Sequence, residues 1–142
     1  MKTVRQLLDT KGAEVISVAP DSNVLDALKL MARREIGAVL VVEGARLVGI
    51  MSERDYARKV ILKGKSSQDT KVREIMTERV MYARPDQTVP ELMALMTNKR
   101  VRHLPVLEGD RLVGVLSIGD LVKETISEQE FIIRQLENYI HG

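Results

Sequence analysis

Glu43-Gly44-Ala45-Arg46-Leu47-Val48-Gly49 and Glu108-Gly109-Asp110-Arg111-Leu112-Val113-Gly114 differ at a single position and stand 65 residues apart. Extending that offset in both directions places Val15–Tyr56 over Val80–Leu121 without a gap, and 15 of the 42 aligned pairs are identical. Pro20/Pro85, Asp21/Asp86, Val24/Val89, Met31/Met96, Ser52/Ser117 and Asp55/Asp120 are among them. Self-similarity on that scale marks one supersecondary unit used twice. A shorter leader repeats as well, with Val4-Arg5-Gln6-Leu7-Leu8-Asp9 resembling Val72-Arg73-Glu74-Ile75-Met76-Thr77.

Local patterns give the unit its elements. Val15–Val18 and Val80–Ala83 are short apolar runs ended by Pro-Asp, which reads as a strand closed by a turn. Val24, Leu28 and Met31, like Val89, Met93 and Met96, recur at helical spacing. Thr88 with Glu91, and more weakly Asn23 with Asp26, start those helices as capping boxes. Ala38–Val42 and Leu104–Leu107 are too short for helices and meet Glu-Gly before a second run, Leu47–Met51 or Leu112–Leu116, which predicts two hairpins. Ser127–His141 places Ile133, Leu136 and Ile140 on one face, so an amphipathic helix is expected there, packed on the body or on a second subunit. The reading is α/β (α+β): residues 1–62 form a leader and first βαββα repeat, 63–70 a basic, polar linker, 71–124 a leader and second repeat, and 125–142 a C-terminal helix.

Composition narrows the function. Lys and Arg number 22 against 20 Asp and Glu, so no overall field draws the chain to nucleic acid or an anionic membrane. With no cysteine there are no disulfides, thiolate nucleophiles or thiolate metal sites, which suits a reducing compartment. No apolar run reaches membrane-spanning length, and Met1–Arg5 lacks a signal peptide's apolar core, so a cytoplasmic protein is expected. His103 and His141 are the only histidines. A histidine-based metal cluster or a Ser-His-Asp triad is therefore poorly supported, and no P-loop or dinucleotide fingerprint is present. The expectation is a protein that is not an enzyme.

The paired repeat, the hairpin ending in Leu-Val-Gly, the following Ser-x-x-Asp (Ser52/Asp55 and Ser117/Asp120) and the run Arg102-His103-Leu104-Pro105-Val106 together resemble a pair of cystathionine-β-synthase (CBS) domains. Residues 52–64 followed by 71–77 look close to the stand-alone CBS-pair proteins of bacteria and plant organelles. The resemblance implies two repeats packed about a pseudo-two-fold axis with two clefts between them, and a homodimer of such pairs forming a flat disc. It also implies an adenine nucleotide as bound effector, with AMP and NAD(H) the best candidates, and an unidentified regulated protein that reads its occupancy. The alternative is a ligand-independent interaction or dimerisation module.

Each Ser-x-x-Asp has two readings. The carboxylate accepts the ribose hydroxyls while Ser and the helix N-terminus face phosphate, or the pair is a helix cap with an acidic first turn. The basic residues differ between the repeats. In the family, phosphate is usually met by a basic residue three before the hairpin proline and by another just before the motif Asp of the partner repeat. Arg102 and Arg54 fill those positions, where the other repeat has Gly37 and Gly119. The resemblance therefore predicts one phosphate-competent cleft, owned by Asp120 and formed with Val80, Tyr82, Arg102, His103, Pro105, Ser117 and Arg54. A weaker second cleft is expected from Ser17, Ala38, Ser52 and Asp55, which His103 reaches from the opposite repeat. Tyr82 either stacks on the base or partly fills the pocket. Arg58, Lys59, Lys63 and Lys65 extend a positive rim or are solvated charges.

Overall fold

The computed structural model describes residues 2–12 and 14–141, of which 140 and 141 are described by their backbone alone; Ile140, expected on the apolar helix face, thus has its side chain outside the described residues. The elements run α1 (Val4–Lys11), β1 (Ser17–Val18), α2 (Val24–Arg34), β2 (Ala38–Glu43), β3 (Arg46–Ser52), α3 (Glu53–Tyr56, extended by a π-helical stretch over Ala57–Ile61), α4 (Val72–Ile75), α5 (Val89–Lys99), β4 (His103–Glu108), β5 (Arg111–Ser117) and α6 (Ile118–His141). The two βαββα repeats are both present. In the first, β1 lies parallel to β2 and β2 pairs antiparallel with β3. In the second, β4 and β5 form the hairpin, and the strand expected at Val80–Ala83 is reduced to one parallel bridge from Ala83 to Val106. The helix expected at Ser127 instead begins at Ile118 and runs unbroken for 24 residues.

The two Glu-Gly-x-Arg-Leu-Val-Gly stretches fix the register. Glu43 pairs with Arg46 and Glu108 with Arg111 across two-residue turns, and Gly44 and Gly109 adopt the left-handed backbone that such tight hairpins require, at φ 64 and 62. A bulge beyond each turn sets Val41 opposite Gly49 and Val106 opposite Gly114.

Those two glycines explain the leaders. A Cβ on Gly114 would sit 2.8 Å from Leu8 Cδ2, and one on Gly49 would sit 2.7 Å from Met76 Sδ and 3.1 Å from the Thr77 carbonyl. Leu8 and Met76 occupy equivalent leader positions. Each leader therefore lies on the other repeat's hairpin. Val4, Leu7 and Leu8 of α1 join the core built by Val89, Leu92, Leu104 and Leu116 of the second repeat. Val72 and Ile75 of α4 join Val24, Met31, Val41 and Met51 of the first. The backbone docks the same way twice: Val4 and Arg5 N–H donate to the carbonyls of Gln87 and Pro85, and Val72 and Arg73 to those of Ser22 and Pro20. The ion pairs Arg5–Glu108 and Arg73–Asp21 lie beside these contacts. No helix among the described residues is long and apolar enough to cross a membrane.

Candidate functional site

Two clefts open on the seam between the repeats, with volumes of about 530 and 370 Å³. Gly37, Ala38, Ile50 and His103 line both, forming the wall that separates them. Ser52 and Asp55 line the larger, Ser117 and Asp120 the smaller.

Each Ser-x-x-Asp is a reciprocal cap. The Ser52 hydroxyl accepts the Asp55 N–H at 3.2 Å while Asp55 Oδ2 accepts the Ser52 N–H at 2.9 Å. Ser117 and Asp120 repeat this at 3.2 and 2.8 Å. The cap locks each carboxylate into its cleft wall, so capping and presentation of the carboxylate are one geometry.

The carboxylates differ in their further partners. Asp55 Oδ2 also accepts the Ser52 hydroxyl at 3.0 Å, and Oδ1 meets Lys59 Nζ at 3.2 Å and the Thr77 hydroxyl at 3.4 Å. Asp120 instead meets Lys11 Nζ at 2.7 Å, and the same ammonium donates to the Val115 carbonyl. Burial pushes the Asp120 carboxyl up, but the Lys11 ammonium and the Ser117 groups outweigh it and hold it below the usual carboxylate range. His103 is depressed by burial and by the charges of Lys11 and Arg102, against the opposing pull of Asp120 and Glu53.

The expected grouping of basic residues is corrected here. Arg102 and Arg54 line the cleft that owns Asp55, not the one that owns Asp120. The Arg102 carbonyl accepts the Ile118 N–H of its own repeat at 2.8 Å, while the residue lines the opposite repeat's cleft. Gly37, at the equivalent position, accepts the Glu53 N–H at 3.1 Å and lines both clefts. Arg102 thus lines the other repeat's cleft, and Arg54 stays beside its neighbour Asp55. Val80 lines the Asp55 cleft as well, while Ser117 and Asp120 stand across the wall. Tyr82 and Ser17 line neither cleft, Tyr82 being 49% exposed. Pro105 is buried within β4, its carbonyl accepting the Ala83 N–H, and lies outside both.

Other residues were not anticipated. Arg79 and Arg100 line the Asp55 cleft, and Glu14 and Glu35 line the other at the equivalent positions of the first repeat. The signal was in the alignment, since the 65-residue offset sets Glu14 on Arg79 and Glu35 on Arg100, each a reversal of charge. At four matched positions the larger cleft has Arg54, Arg79, Arg100 and Arg102 where the second repeat or the smaller cleft has Gly119, Glu14, Glu35 and Gly37. Glu35 and Arg100 also share a backbone feature. They close α2 and α5 in the left-handed region, at φ 54 and 55, where glycine is the usual residue.

A duplicated unit with exchanged leaders, and with a capped carboxylate in each of two seam clefts, defines a paired-repeat module. The CBS-domain family model matches residues 4–62 and 72–127, and the chain belongs to that family. It is 38% identical to the mitochondrial CBS domain-containing protein CBSX3 of Arabidopsis thaliana, over 99% of this chain and 72% of the relative. A CBS-domain protein of known structure from Burkholderia ambifaria MC40-6 is 52% identical, covering 90% of this chain and 96% of its own, with a TM-score of 0.86. The CBS domain pair of MJ0100, solved in complex with 5′-methylthioadenosine and S-adenosyl-L-methionine, shares the fold at 23% identity and a TM-score of 0.80, covering 90% of this chain and 98% of its own.

Proposed function

We propose that the Asp55 cleft binds an adenine nucleotide, AMP or NAD(H), as an effector, and that a separate protein reads its occupancy. The chain acts as a regulator, not a catalyst, in a reducing compartment such as the cytoplasm. The observation carrying this is the convergence of Arg54, Arg79, Arg100 and Arg102 on one cleft beside a capped carboxylate. Guanidinium groups meet phosphate oxygens through paired, charge-assisted hydrogen bonds, and four of them suit one or two phosphates. Asp55 supplies the acceptor for a ribose. Thr77 makes the longest of its hydrogen bonds, at 3.4 Å, and is the partner a ribose hydroxyl would replace. The adenosyl ligands of the MJ0100 pair support the class of ligand. For occupancy to regulate, the nucleotide must bind two arrangements of the module unequally.

A second reading, a ligand-independent interaction module, is favoured by the ammonium groups already set against both carboxylates, Lys59 on Asp55 and Lys11 on Asp120. Dye-reported thermal unfolding with AMP, ADP, ATP and NAD separates the two, because a ligand specific for the folded state raises the melting temperature. The nucleotide reading expects a shift that Asp55→Asn abolishes and Asp120→Asn leaves in place. No shift with any of the four at millimolar concentration refutes it in favour of the second reading.

A further inference from the structure

Each of the two cleft carboxylates is met by an ammonium, but from different sides. Lys59, in the π-helical stretch, approaches Asp55 Oδ1 at 3.2 Å, donates to the Ile75 carbonyl at 2.9 Å and lies outside the lining of the larger cleft. Lys11 lines the smaller cleft itself, where its ammonium stands 2.7 Å from Asp120 Oδ2 and donates to the Val115 carbonyl at 2.7 Å. Helix length delivers it there. α1 has eight residues where α4 has four, and the additional turn carries Lys11 past the contact that Leu8 makes with Gly114. Asp120 Oδ2 also accepts the Ser117 N–H at 2.8 Å, so cap and ammonium together use both lone pairs of that oxygen. Elsewhere in the smaller cleft, Ile16, Ile36, Leu40, Ile50 and Val115 form an apolar wall. Glu14, paired with Arg34 at 3.0 Å, and Glu35 add negative charge.

We propose that Lys11 is a specificity determinant, a tethered cation that occupies the carboxylate of the smaller cleft and so confines nucleotide to the Asp55 cleft. The inference rests on the reading of each capped carboxylate as a ribose acceptor. A ribose reaching Asp120 would have to displace the ammonium and leave a part-buried cation without its carboxylate. The exchange replaces a paired charge with a bond to a neutral donor, so it opposes binding. At Asp55 no such exchange is needed, because Lys59 holds the carboxylate from outside the cleft. Phosphate is excluded from the smaller cleft independently, since three carboxylates line it against one ammonium. The two barriers reside in different residues. Removing the ammonium should therefore admit a nucleoside and still refuse a nucleotide.

The test is equilibrium dialysis of the full chain against adenosine, which carries the base and ribose without phosphate, in an Asp55→Asn background that disables the larger cleft. Adding Lys11→Met should tighten adenosine binding about tenfold or more, the worth of one hydrogen bond to a freed carboxylate. Lys11→Arg keeps the charge and should leave the cleft closed, and Asp120→Asn added to Lys11→Met should abolish the gain. AMP should gain nothing from Lys11→Met, because Glu14 and Glu35 remain. Lys11 is exposed, so circular dichroism should show these variants folded, and Lys11→Ala serves equally should the methionine variant not be. Equal adenosine binding with and without Lys11→Met, a gain that survives Asp120→Asn, the same gain in Lys11→Arg or an equal gain for AMP would each overturn the proposal. Failure of the otherwise wild-type chain to bind AMP would instead sink the function proposed for the Asp55 cleft, and the adenosine comparison would still decide the role of Lys11.

Discussion

Replacing Arg102 with alanine removes one of four guanidinium groups from the Asp55 cleft while leaving the wall and carboxylate in place. Arg102 is exposed, so the unliganded protein should melt within a few degrees of wild type. Unfolding entropy near 2.1 cal/mol/K per residue over 142 residues gives roughly 0.3 kcal/mol per degree. Nucleotide at about 100 times its Kd adds about 2.7 kcal/mol, hence a rise of about 9 °C. Losing one charge-assisted hydrogen bond costs about 2 kcal/mol, or about 30-fold in Kd. The same nucleotide concentration is then only about three times Kd and stabilises by about 0.8 kcal/mol, for a rise of about 3 °C. The assay is a pair of melting curves per variant, with and without nucleotide, using Asp120→Ala as the control for the other cleft. An unchanged 9 °C rise in Arg102→Ala, with the rise lost in Asp120→Ala, would refute the assignment and place the ligand across the wall.

Arg100→Gly should raise the unliganded melting temperature by about 3 °C, since glycine relieves about 1 kcal/mol of left-handed strain, yet weaken nucleotide binding; Glu35→Gly should stabilise alike without that loss, and equal binding in both variants would contradict the role given to Arg100. Gly49→Ala should cost about 1–3 kcal/mol, because the new Cβ meets Met76 Sδ and the Thr77 carbonyl. Adding Met76→Ala should recover part of that in denaturant melts, and no recovery would show that the leader does not press on this glycine. Acid should destabilise the protein in two windows, because both shifted groups have folded pKa values below their unfolded ones. Stability tied to His103 is present above about pH 6.5 and is lost as pH falls through its lowered value; that tied to Asp120 is present above about pH 4 and is lost below it. His103→Gln should flatten the first limb of a pH–stability curve and Lys11→Met the second, and a curve unchanged by either would contradict these assignments.

The fold was legible because its signals are local and doubled. A two-residue turn, a capping box or a 3.6-residue stripe each needs only a few neighbouring residues, and the offset supplied every one of them twice. Two boundaries failed for lack of such a signal. Nothing around Val80–Ala83 marks that its ladder with β4 closes to one bridge at Ala83, and nothing between Ser117 and Ser127 interrupts the helix. The cleft assignments depended instead on which repeat lies across the seam. The family resemblance assigns Arg102 to its own repeat's carboxylate, at the open end of the same β4–β5 hairpin. Arg102 instead lines the cleft of the other repeat's carboxylate, and no spacing rule in a single chain records that. Tyr82 failed for a related reason: its neighbours Val80 and Met81 line the cleft, and it does not.

Crossed construction also explains how two near-identical units come to hold unlike clefts. The cap and carboxylate of each cleft belong to one repeat, whereas the leader end and hairpin entry that supply three of its charged residues belong to the other. Arg79, Arg100 and Arg102 reach Asp55 from the second repeat; Lys11, Glu14 and Glu35 reach Asp120 from the first. A substitution at the entry of one hairpin therefore changes the other repeat's cleft without touching the cap that positions its carboxylate. The leaders add mechanical dependence to this chemical one. The segment that brings Thr77 and Arg79 to the larger cleft begins with Val72 and Ile75, buried in the first repeat's core. A ligand that draws Arg79 inward would pull on α4, whose Met76 lies against Gly49 of that same repeat. Under the proposed function, ligand charge would be read at the place where the two cores are joined.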